Sequence, residues 1–74
     1  MGYDTKRNGD RLRILRAGKS RHEVAKDLGI SYSLYGMYEQ GVRNPSDSNK
    51  LKIARYYGVP LFDIFFEERS TDSN

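Results

Sequence analysis

Hydrophobic residues in the first half of the chain recur at helical rather than alternating spacing, in short segments that end at glycine. The first segment predicts a helix that ends at Ala17–Gly18. Its apolar members are Leu12, Ile14 and Leu15. Ser20 and Glu23 then have the spacing of a capping box, which predicts the start of a second helix. The apolar face of that helix consists of Val24, Ala25 and Leu28. We expect it to end at Gly29, because glycine takes a left-handed conformation without steric cost.

The same helical spacing continues beyond this glycine. Ser31 is a favourable N-cap and predicts a third helix, over about residues 31–40. Tyr35 and Tyr38 should lie on its inward face, and Gly41 should end it.

Two further helices are predicted after a short polar loop. Ser46 or Asp47 caps the fourth, which ends at Gly58. Its inward positions are Lys50 (through its aliphatic stem), Ile53, Ala54 and Tyr57. Pro60 suits the first turn of a short fifth helix that extends to Phe66. The inward positions of this last helix are Leu61, Ile64 and Phe65. The predicted fold class is therefore all-α, with five short helices.

The segment between the second and third helices has the pattern of a helix-turn-helix. A small residue at Ala25 lets the next helix cross closely, Gly29 makes the tight turn, and Ile30 fills the corner. Ser31 then starts a helix that projects from the body of the protein.

Charge is distributed unevenly along the 74 residues, although the net charge is only +3. Residues 1–55 hold 12 Lys and Arg against 6 Asp and Glu, whereas residues 56–74 hold one Arg against four acidic residues. A basic body with an acidic tail suits a polyanionic partner that approaches from one side. A solvated surface with a moderate excess of positive charge explains the same distribution, so charge alone does not distinguish these two interpretations.

Composition argues against several classes of protein. Without cysteine there is neither a disulfide framework nor a cysteine-based zinc site. No apolar run approaches the roughly 20 residues of a membrane span, so we expect a cytoplasmic protein without a membrane partner. One histidine and no nucleophile–base arrangement argue against an enzyme. We expect no cofactor and no metal.

The stretches EVAKDLGIS, YEQGVRNP, KIARYYGV and DIFF together resemble the Cro/C1-type (XRE family) helix-turn-helix domain of phage repressors and related bacterial regulators. The resemblance covers about residues 8–66. It implies a compact, lambda-repressor-like domain of five helices, usually dimeric, whose third helix enters the major groove of double-stranded DNA. Residues 1–7 are then expected to form a flexible arm, and residues 67–74 a disordered, acidic and polar tail.

The resemblance also implies roles for particular positions. The DNA-contacting positions that it gives are Arg21, Tyr32, Ser33, Met37, Arg43 and Asn44. Among them, Arg21 corresponds to a phosphate or outer-base contact, and Arg43 and Asn44 correspond to a loop that touches phosphates. Arg16 and Glu39 correspond to an internal ion pair that holds the fold.

The expected base-reading positions depart from the usual pattern of the family, which often has Gln, Asn, Arg or Lys there. Tyr32, Ser33 and Met37 provide none of the paired hydrogen bonds that make arginine–guanine or glutamine–adenine contacts selective. We therefore expect phosphate contacts to supply much of the affinity, and single hydrogen bonds and thymine-methyl contacts to supply modest selectivity. Gly36 fits either a close approach to the sugar-phosphate backbone or simple tolerance in the helix.

Two functions fit these observations. The first is a sequence-specific transcriptional regulator of the phage-repressor type, binding a two-fold DNA site as a homodimer. The alternative is a protein-interaction module, such as an antitoxin or antirepressor, because Tyr32, Leu34 and Met37 also suit a protein partner. Phe62 and Phe66 fit a dimer face or packing within the monomer equally well.

Overall fold

A computed structural model describes residues 5–65, and within this range all regular elements are helices. They are α1 (Thr5–Arg16), α2 (Arg21–Leu28), α3 (Tyr32–Gln40), α4 (Asp47–Tyr57) and α5 (Leu61–Ile64). The predicted all-α fold of five helices is confirmed. The predicted arm is wrong in its end point, because residues 5–7 belong to α1. The rest of the arm, Phe66 and the acidic tail lie outside the described residues.

Local hydrogen bonds set the starts of three helices, as the sequence predicts. The hydroxyl oxygens of Ser20, Ser31 and Ser46 accept hydrogen bonds from the backbone N–H groups of Glu23, Leu34 and Asn49, respectively, at 3.0–3.2 Å. A cap of this kind contributes about 1 kcal/mol. The choice between Ser46 and its neighbour as the cap of α4 is settled in favour of Ser46.

Left-handed residues set the helix ends. Gly29, Gly41 and Gly58 end α2, α3 and α4 with φ angles of 75°, 77° and 71°. α1 ends at Arg16, next to the predicted Ala17–Gly18, and Ala17 has a positive φ of 52°. Alanine in this conformation carries a steric penalty that glycine avoids.

The core lies where the four longer helices meet and is closed by α5. Its buried apolar residues are Leu12, Val24, Ala25, Leu28, Tyr35, Tyr38, Ile53, Ala54, Ile64 and Phe65. The predicted inward faces of α2 and α3 are confirmed. Tyr57 and Leu61 are only half-buried, and Ile14, on the apolar side predicted for α1, is exposed.

Lys50 is buried, with 4% of its surface exposed, and its ammonium lies 4.0 Å from the Asp47 carboxylate and 5.9 Å from the centre of the Phe65 ring. This arrangement agrees with the prediction that its stem belongs to the core face of α4.

Two helices approach each other closely where α1 crosses α3. Gly9 faces the backbone of α3 there, and a Cβ atom added to it would lie 2.3 Å from the carbonyl oxygen of Glu39 and 2.9 Å from that of Tyr38. No side chain fits in this space. The crossing holds α3 against the body of the protein along its inner face and leaves its outer face exposed.

Candidate nucleic-acid interface

The outer face of α3 forms a shallow groove together with the start of α2. Of the predicted contact residues, Tyr32 and Ser33 are exposed and Met37 is half-buried. These three residues line the groove with Arg21, Gly36 and Gln40. The structure thus brings four of the predicted residues to one surface, which we call the α3 groove.

A shared carboxylate fixes one wall of this groove. The side chain of Glu39 is fully buried and binds two guanidinium groups, at 2.6 Å from Arg16 Nε and 3.1 Å from Arg21 Nε. Its hydrogen bond to Arg16 also raises the pKa of that guanidinium above its ordinary value. We call these three residues the Glu39 cluster. Two positive charges on one negative charge leave the cluster with a net charge of +1 beside the groove.

The internal pair of Arg16 and Glu39 is present as the resemblance implied, but the second partner was missed. Arg21 was expected only as a DNA contact, and its side chain is 30% exposed. Its Nη1 atom also lies over Gly36, 3.8 Å from the position that a Cβ atom would occupy. A Cβ atom at Gly36 would therefore make only ordinary van der Waals contact with this guanidinium. Arg21 is both a groove residue and part of the buried ion-pair system.

Gln40 is a groove residue that the sequence reasoning missed. It is exposed and lies one turn beyond Met37 on the same face of α3. The signal was present in the spacing, since Ser33, Met37 and Gln40 are separated by four and three residues. A glutamine amide can form the paired hydrogen bonds to adenine that the other groove residues lack.

The loop between α3 and α4 lies outside the α3 groove. Arg43 is exposed there, as a phosphate contact would require. Asn44 is half-buried, and its Oδ1 atom is buried without a hydrogen-bond partner among residues 5–65. The structure therefore presents Arg43 more openly than Asn44.

His22 was not predicted to be a site residue, but it contacts Tyr32 in the groove. Its imidazole stacks on the ring of Tyr32, with ring centres 4.0 Å apart and planes 12° from parallel. The contact joins the second residue of α2 to the first residue of α3, ten positions later.

A second surface carries exposed apolar residues. Phe62 and Ile14 are 73% and 75% exposed. A shallow cavity is lined by Arg11, Ile14, Leu15, Val59 and Asp63, the last of which follows Phe62 in the sequence. Phe62 thus contributes little to the core of the monomer, while Phe66 lies outside the described residues.

Two hydroxyl groups meet beneath α3. The hydroxyl oxygens of Tyr35 and Tyr57 are 2.8 Å apart, and burial raises the pKa of both groups above their ordinary value of 10.0. The contact ties the inner face of α3 to the end of α4.

None of the helices within residues 5–65 is both long enough and apolar enough to cross a membrane.

Comparisons with known proteins identify the family. The helix-turn-helix family HTH_3 matches residues 11–64. The chain is 32% identical over 56 residues to the cryptic phage CTXphi transcriptional repressor RstR of Vibrio cholerae. The aligned region covers 73% of this chain and 50% of that protein. The chain is 37% identical over 49 residues to the uncharacterized HTH-type transcriptional regulator MJ0272 of Methanocaldococcus jannaschii, covering 66% of this chain and 74% of that one.

The chain thus spans half the length of the Vibrio repressor. No solved structure matches it significantly. The family match contains α2, α3 and the turn between them, together with the groove residues described above. The chain belongs to the helix-turn-helix family, within its Cro/C1-type group of transcriptional regulators.

Proposed function

We propose that this protein is a sequence-specific DNA-binding transcriptional regulator that places α3 in the major groove. Its family consists of DNA-binding regulators rather than enzymes. The observation that carries the proposal is the α3 groove, an exposed helix face bordered by Arg21 and followed by the exposed Arg43. A projecting helix with cations at its flanks is the arrangement that lets phosphate contacts fix the register while the helix meets base edges.

The salt dependence of DNA binding gives a direct test of the proposal. We would select a duplex from a random pool with the 74-residue chain, then titrate it by fluorescence anisotropy over a range of salt concentrations. The logarithm of the binding constant should fall steeply and linearly with the logarithm of salt, and a flat response would overturn the proposal.

Charge reversal separates phosphate contacts from base contacts. Arg43→Glu should weaken binding to all duplexes alike and lower the salt slope by about 1 or more. Arg55→Glu is the matched control, because Arg55 is exposed on α4, outside the groove and the loop. Equal losses for the two variants would show that only overall charge matters.

We expect residues within the α3 groove to contact the bases. Tyr32→Ala should change the preference among sites, whereas Gln40→Ala should reduce discrimination at one A·T position by about 1–3 kcal/mol, the worth of a paired glutamine–adenine contact. If both variants bound all duplexes with the same ratios as the wild type, α3 would not read bases.

We propose further that the protein binds DNA as a homodimer through the surface around Phe62. Phe62 presents an exposed aromatic ring, and the same chain carries a shallow, mostly apolar cavity at Ile14, Leu15 and Val59. Each copy therefore offers both parts of a self-complementary contact. Sedimentation equilibrium should give a dimer for the wild type and a monomer for Phe62→Ser. Leu51→Ser provides the control, since Leu51 is an apolar residue of α4 with 53% of its surface exposed.

A protein-interaction role on the same scaffold is supported by the absence of Lys and Arg from α3. Of its proposed anchors, Tyr32 and Met37 remain accessible, but Leu34 packs against the core. This role would be favoured by a protein partner that binds tightly at Tyr32 in the absence of DNA, together with DNA affinity that is only non-specific.

A further inference from the structure

The stacked pair of His22 and Tyr32 bridges the turn of the helix-turn-helix at its outer surface. The two rings are stacked, with their planes 12° from parallel and their centres 4.0 Å apart. Both residues are nevertheless exposed to solvent, and 44% of the Tyr32 surface is accessible. The stack is therefore a surface contact and does not belong to the core.

The stack restricts the way in which Tyr32 meets a ligand. One face of its ring is covered by the imidazole, so the hydroxyl, the ring edge and the opposite face remain available. Tyr32 also lines the α3 groove, at the end of α3 nearest to α2. A tyrosine free to change rotamers at this place would have to be immobilised on binding, at a cost in affinity.

We propose that His22 is a positioning residue for DNA reading, which holds the Tyr32 ring in its binding orientation before DNA arrives. This role rests on the proposed function, since it concerns the selectivity of the same groove. His22 acts through Tyr32 and makes no base contact of its own. Immobilising one such side chain in advance is worth about two- to tenfold in Kd.

The experiment is a double-mutant cycle on the selected duplex and on duplexes with a single changed base pair. The full chain is compared with His22→Ala, His22→Phe, Tyr32→Ala and the His22→Ala/Tyr32→Ala double variant. His22→Ala should weaken binding about two- to tenfold and reduce the ratio between matched and changed duplexes. His22→Phe should restore both, because a phenyl ring can stack in place of the imidazole. In the Tyr32→Ala background, removing His22 should have no further effect.

Proton NMR of the free protein gives a measurement that does not depend on DNA. The Tyr32 ring protons should shift in His22→Ala, because the ring current of the imidazole is lost, and the shift should be smaller in His22→Phe. Thermal unfolding of each variant checks that the fold is retained.

The outcomes separate the two proposals. If the wild type binds DNA selectively but His22→Ala binds with unchanged affinity and ratios, the positioning role is overturned and the regulator remains. An equal loss in the Tyr32→Ala background would also overturn it, because His22 would then act independently of Tyr32. If the wild type shows no selective DNA binding, the proposed function fails and this role fails with it, even where the NMR shifts establish the stack.

Discussion

Replacing Gly9 by alanine should destabilise the protein by forcing α1 away from α3. The added Cβ atom would lie 2.3 Å from the Glu39 carbonyl oxygen and 2.8 Å from its carbonyl carbon. These are backbone atoms in the middle of the fold, so no rotamer change relieves the contact. One of the two helices has to move.

The magnitude follows from two opposing effects. Alanine is favoured over glycine in a helix interior by about 1 kcal/mol. Overpacking costs typically about 1–3 kcal/mol, and a clash between backbones belongs at or above the upper end. We therefore expect Gly9→Ala to lower the free energy of unfolding by about 2 kcal/mol. For a domain of this size that corresponds to a fall of roughly 10 °C in Tm.

Gly36→Ala is the matched control, because it makes the same substitution inside another helix. Its Cβ atom would meet only the Arg21 Nη1 atom, at an ordinary contact distance of 3.8 Å. We expect it to leave stability unchanged or to raise it by up to about 1 kcal/mol. Urea unfolding followed by circular dichroism measures both variants. Should Gly9→Ala prove as stable as Gly36→Ala, the close crossing of α1 over α3 is not a feature of the molecule in solution.

Three further predictions concern the interior and the helix ends. Glu39→Gln should lower the free energy of unfolding by about 3 kcal/mol, because two guanidinium groups of the Glu39 cluster lose their buried carboxylate. The control Glu23→Gln, at an exposed position, should change it by less than about 0.5 kcal/mol. Similar values for the two variants in urea unfolding would contradict this prediction. Ala17→Gly should raise Tm by relieving a left-handed alanine, and a lower Tm would count against that strain. The free energy of unfolding should fall as the pH rises above about 10, because the raised pKa values of Tyr35 and Tyr57 mean that the folded protein holds these protons more tightly than the unfolded chain. Unfolding measured from pH 8 to 11 should show a shallower fall for Tyr35→Phe, and an unchanged slope would refute this cause.

The candidate site was predictable in its position but not in its internal contacts. The spacing of Ala25, Gly29 and Ser31 located the projecting helix, and the family resemblance indicated Tyr32 on this helix and Arg21 on the preceding one as contact residues. The side-chain contacts of these residues depended on partners elsewhere in the chain. Arg21 binds a carboxylate 18 positions away. That pairing has no local sequence signal.

The sequence by itself determined where most helices begin and end, because these choices are made within a few residues. A serine hydroxyl reaches the amide three positions later, and glycine can adopt a left-handed conformation without steric cost. Only the tertiary structure decided that Gly9 must lack a side chain, that Glu39 serves two arginines, and that His22 covers Tyr32. Each of these depends on the distance between helices, and that distance is set by the packing of the whole core.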